Sequence, residues 1–71
     1  MNILTAIKDA KCVLFTDDEH FNKEITGVKN LNDVKEMFCI RGDIYKINSC
    51  HNEYEYKLKN SDYKFVITII N

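Results

Sequence analysis

The feature that most constrains this chain is an alternation in its last third. From Glu53 to Lys59, Tyr54, Tyr56 and Leu58 fall on one side, and Glu53, Glu55, Lys57 and Lys59 on the other. A period of two belongs to a strand with one buried face. Asp62 to Ile70 repeats the pattern, and Asn60-Ser61 between them suits a two-residue hairpin loop. The implied register sets Leu58 against Tyr63, Tyr56 against Phe65 and Tyr54 against Ile67. A slip of one residue would oppose these with polar partners, so the pattern specifies its own pairing. Ile44 to Asn48 reads as a third strand, followed by a loop at Ser49 to Asn52. Placing Ile47 opposite Tyr54 and Tyr45 opposite Tyr56 puts all four tyrosines on the core face.

The upstream half supplies what covers that face. Asn2 is placed to cap a short helix whose stripe is Ile3, Leu4, Ile7 and Ala10. Lys11 to Thr16 carries four consecutive apolar residues and predicts a strand buried on both faces, central in the sheet. Residues 23 to 28 predict a second strand. Asn30 caps a second helix with Asp33 in its first turn and Leu31, Val34, Met37 and Phe38 on its apolar face. Gly42 and Asp43 turn the chain out of it. The expected fold is one α+β domain over residues 1–71, a helix-backed, mainly antiparallel sheet in the order α-β-β-α-β-β-β.

Seventy-one residues leave room for one core. A pocket of catalytic groups would compete with that core for the same residues. Ten basic residues against eleven acidic ones argue against both a broad basic nucleic-acid footprint and an acidic DNA mimic. The longest apolar runs, Cys12 to Phe15 and Phe65 to Ile70, are far shorter than a spanning helix needs. The N-terminal segment does not read as a signal peptide. Three cysteines, an odd number, suit a reducing compartment, so the expectation is a cytoplasmic chain with buried structural thiols. Arg41 is the single arginine beside nine lysines, and with the many Ile and Asn residues this points to an AT-rich genome.

Chemistry is sparse. Cys12, His20, Cys39, Cys50 and His51 are the zinc-type donors, but only Cys50 and His51 are close, and adjacent residues do not readily hold one ion. Nor does that pair suit thiolate–imidazole catalysis, because adjacent residues in extended chain point apart. Arg41-Gly42-Asp43 is read as a chance triplet, and two glycines make no phosphate loop. No cofactor, metal or catalytic group is expected. The candidate partner-binding residues are the acidic turn Asp17, Asp18 and Glu19, suited to a basic surface, and a lysine face of Lys46, Lys57 and Lys64 on the outward side of the meander. Lys57 directly opposite Lys64 is unfavourable unless the side chains splay into water or meet an acidic partner or a phosphate backbone.

In size, composition and element order the chain resembles, in kind, the small inhibitors encoded by phages and other mobile elements, anti-CRISPR proteins among them. That resemblance implies a non-enzymatic, stoichiometric inhibitor of a host defence nuclease or its guide complex, acting in the host cytoplasm by occlusion. Two other readings stand beside it. The lysine face would give weak, salt-sensitive nucleic-acid binding. Alternatively the chain is a homo-oligomerising module, with Tyr63 to Ile70 as an edge strand pairing with its own copy.

Overall fold

In a computed structural model, which describes residues 3–71, the elements run α1 (Ile3–Asp9), β1 (Cys12–Thr16), β2 (Lys23–Ile25), α2 (Leu31–Met37), β3 (Ile44–Cys50), β4 (Glu53–Leu58) and β5 (Lys64–Ile70). The five strands form one antiparallel sheet in the order β2-β1-β5-β4-β3. This is the expected α+β fold with the expected element order. The Asn2 cap and the side chain of Leu4 lie outside what the structure describes.

The β4–β5 hairpin has the register its alternation demands, with Tyr56 opposite Phe65 and Tyr54 opposite Ile67. Leu58 N–H donates to the Tyr63 carbonyl at 2.9 Å, and Asn60 takes the left-handed conformation that closes the loop (φ 62°). Ala6 and Ile7 of α1 and Val34 of α2 meet Val13, Phe15, Ile25, Tyr54, Tyr56, Phe65, Ile67 and Ile69 in a single core on one sheet face. Burying such side chains stabilises by roughly 1.5–3 kcal/mol each. Phe15 stacks on Phe38 and on Phe65, and Phe65 stacks on Tyr56, so aromatic rings run across the sheet under α2.

Helix α2 begins as its sequence demands. The Asn30 side chain accepts from Asp33 N–H at 2.9 Å, and the Asp33 carboxylate accepts from Lys29 N–H at 2.8 Å. It ends differently from the expected turn at Gly42. Cys39 adopts a left-handed conformation (φ 55°); its N–H donates to Glu36 and that of Ile40 to Lys35. This is the double-bonded helix stop that usually recruits glycine, with the residue after it turned into the core. Ile40 is accordingly buried. Gly42 is still required, since its φ is 111° and an added Cβ would lie 3.3 Å from Leu58 Cδ1.

Several expectations are corrected. β3 pairs Tyr45 with Lys57 and Lys46 with Tyr56, then skips Ile47 in a bulge before Asn48 meets Glu55. The bulge shifts the face by one residue, so Tyr45 and Ile47 are exposed instead of core. The strand runs on to Cys50, leaving a turn at His51 and Asn52. β1 is central but buried on one face only: Val13 and Phe15 are buried, while Leu14 faces the side that no helix among the described residues covers. β2 stops at Ile25, Phe21 is 83% exposed, and Met37 points off the apolar face of α2. β5 is no edge strand, because β1 and β4 occupy both its sides. The thiols are not buried: Cys39 and Cys50 are exposed and Cys12 half-buried.

Candidate functional site

After β1 the chain must reverse toward β2, and Asp17 organises that reversal. Its Oδ1 accepts from Glu19 N–H, His20 N–H and His20 Nδ1 at 2.8, 2.8 and 2.9 Å. Its Oδ2 accepts from the Tyr63 hydroxyl at 2.6 Å, a contact spanning 46 residues. The Asp17 side chain is only 8% exposed. Burial alone would raise its carboxyl, but the bonds from Tyr63, Glu19 and His20 outweigh that and hold it below the ordinary carboxylate value. Tyr63 moves the opposite way. Burial, and then its bond to the Asp17 carboxylate, push the phenol well above its usual range.

The turn is thereby fastened to the body of the protein. His20 packs edge-on against Phe15 and Phe38, and Tyr63 leans on Phe65. Asp17, Asp18 and Glu19 then border a groove of about 520 Å³ with Phe38, Leu58 and Tyr63 as its apolar wall and Arg41 on its rim. Asp18 and Glu19 are exposed and form no side-chain hydrogen bond or ion pair among the described residues. Of the three acidic residues singled out, two therefore remain free for a ligand. The third is committed to holding them.

The lysine face is only partly assembled. Lys57 and Lys64 are directly opposite on the uncovered face, as expected. Lys46 is not with them. It pairs with Tyr56, so the bulge sends it to the helix-covered side, beside Ser49 and Tyr54 in a second groove of about 390 Å³. Lys64 Nζ lies 3.8 Å from Glu55, which offsets part of the remaining positive charge.

Among the described residues no three His, Cys, Asp or Glu side chains are arranged to hold a metal ion. Cys50 sits on the uncovered face at the end of β3, with His51 in the following turn. Burial and the nearby Glu24 push the Cys12 thiol up, away from the reactive thiolate. No helix among the described residues is long and apolar enough to cross a membrane. Comparison with protein-family models, curated proteins and solved structures finds no match.

The apolar wall of the groove is what residue reading missed. In the sequence Phe38 belongs to the helix face and Leu58 and Tyr63 to the hairpin, and nothing local says that they converge beside the acidic turn. An Asp that opens a turn can cap it with its own side chain. That pattern does not separate Asp17 from Asp18, however, since either Asp is followed by N–H groups two and three residues on.

Proposed function

We propose that this protein is a non-enzymatic binding protein that inhibits or modulates a macromolecular partner, engaging it through the groove beside the acidic turn. The observation that carries this reading is the pairing of two unpartnered carboxylates, Asp18 and Glu19, with an apolar wall of Phe38, Leu58 and Tyr63 on a rigidly held turn. Such a surface suits a basic segment that also presents a flat apolar side. The apolar wall supplies contact area, and the carboxylates select a cationic side chain and repel an anionic one.

Basic segments of this kind are characteristic of proteins that handle nucleic acid. The finer reading is therefore a phage-encoded stoichiometric inhibitor of a host defence nuclease or ribonucleoprotein complex. Direct nucleic-acid binding is the weaker alternative, because two lysines with Glu55 beside them make few phosphate contacts.

The test is affinity capture by the tagged protein from a lysate of an AT-rich bacterium, beside the Asp18→Lys/Glu19→Lys variant. The expected result is one large complex at stoichiometric ratio. Its recovery should drop about tenfold or more on charge reversal, as like charges meet across the contact, while the thermal melt stays unchanged. Capture indifferent to the reversal would overturn the site. Turnover of a nucleotide or peptide by the purified protein would overturn the non-enzymatic reading.

A further inference from the structure

Most large apolar side chains of this protein are at least half covered. Phe21 is the exception, at 83% exposed, while Met37, the next among the described residues, reaches 47%. Phe21 is not packed on the core, stacks on no other ring among the described residues, and stands outside the wall of the groove beside the acidic turn. A lone apolar side chain on a surface is ordinary when its backbone can let it settle against a neighbour. Phe21 is denied that freedom, because the residues on both sides of it are fastened.

On one side His20 is bound to Asp17 through its N–H, its ring Nδ1 and its carbonyl, which accepts from Asp17 N–H at 2.8 Å. On the other side Asn22 is bound to Thr16. The Thr16 hydroxyl accepts from Asn22 N–H at 2.9 Å and donates to Asn22 Oδ1 at 3.2 Å. Asn22 also takes the left-handed conformation (φ 48°), which is uncommon outside glycine and persists where the surroundings fix it. The turn therefore holds an aromatic ring in water at a set position. An aromatic group placed in this way loses little freedom when a partner covers it, so most of the gain from burial goes into binding. The charges around it are also one-sided. Asp18 and Glu19, two and three residues before Phe21, form no ion pair among the described residues, and Lys23 is the one cation between Asp17 and Glu24.

We propose that Phe21 is the anchor of the protein–protein contact, inserting into an apolar pocket of the partner whose rim carries Lys or Arg side chains. This rests on the reading of the acidic turn as a binding surface and adds to it the residue that supplies the central apolar contact. The two parts are complementary. The groove receives a basic segment of the partner, and the turn beside it sends a ring into the partner. Anchors of this kind are the positions at which truncation costs an interface most. The free carboxylates of Asp18 and Glu19 set the chemistry of the pocket's rim, since an acidic rim would place like charges together in a site from which water is being removed.

Two measurements test this. In the free protein, the heteronuclear 15N NOE of the Phe21 amide should match those of β1, and a value well below them would overturn the proposal by showing that the ring is not held. For the contact itself, the photoreactive variant Phe21→p-benzoylphenylalanine is incubated with a lysate of an AT-rich bacterium, irradiated and captured. Position 21 should join to one protein of the captured complex, at a peptide of apolar residues with Lys or Arg among them. Phe21→Ala should lower recovery of that complex about tenfold or more, while Phe21→Leu keeps it within a few-fold, and the thermal melts of both should match the parent because the side chain supports nothing within the fold. A linked peptide rich in Asp and Glu would overturn the cationic rim. Recovery that falls on Asp18→Lys/Glu19→Lys but holds with Phe21→Ala would overturn the anchor and leave the groove standing. Capture of nothing by the unaltered protein would remove both.

Discussion

Asp17 and Tyr63 form the contact on which the groove depends. Tyr63→Phe removes the 2.6 Å donor from a nearly buried carboxylate and should lower stability by about 1.5–3 kcal/mol at neutral pH, read by urea denaturation. The pH dependence follows from the direction of each shift. The Asp17 carboxyl sits below its ordinary value of 3.8, because its ionised form is the one the fold binds. Its contribution is complete above the ordinary carboxylate range and disappears as the pH falls through the depressed value. Asp17→Asn should thus be less stable than the parent at neutral pH and show a shallower loss in acid. Tyr63 lies above its ordinary 10.0, so its contribution is complete below that pH and is lost as alkali rises past it. Ultraviolet titration should show late-ionising tyrosines, with Tyr63→Phe removing one of them.

At the scale of elements, local and non-local causes separate. Asn30 and Asp33 start α2 through bonds spanning three or four residues, and such signals read directly from sequence. The helix stop at Cys39 was hidden because glycine is the usual residue in that conformation. What drives it is burial of Ile40, which no neighbouring residue reveals. The bulge in β3 is similar. Nothing in Tyr45 to Asn48 forbids regular pairing, yet a regular ladder would take Tyr45 and Ile47 onto the core face. Ile47→Asp is accordingly expected to change stability by no more than about 0.5 kcal/mol, as at an ordinary surface site. Ile67→Ala, at a fully buried position, should cost about 2–5 kcal/mol. Comparable losses at both positions in chemical denaturation would return Ile47 to the core.

Over the whole molecule, one core joins both helices to all five strands, apart from the short reach of β3. β5, last in sequence, lies at the middle of the sheet between β1 and β4. The pairing Cys12–Ile70 closes almost the entire chain into one unit. Unfolding should therefore be a single transition, with far-UV circular dichroism and tyrosine fluorescence giving coincident midpoints. Separated midpoints would mean that the β3–β4–β5 meander holds together after β1 and the helices have left. The central place of β5 also removes the edge on which one route to self-association rested.

By itself the sequence determined the element order, the register of the last hairpin, the cap of α2 and the acidic composition of the turn after β1. Each is set by residues a few positions apart, or by a period of two that admits one register when a single face is buried. Tertiary structure decided which strands lie at the edges, where β3 skips a residue, on which side Lys46 emerges, and that Asp17 holds the turn while Asp18 and Glu19 remain available. Those outcomes depend on contacts such as Tyr63 to Asp17, across 46 residues. A one-residue bulge or a buried hydroxyl alters the face of a side chain without leaving any periodic mark in the chain.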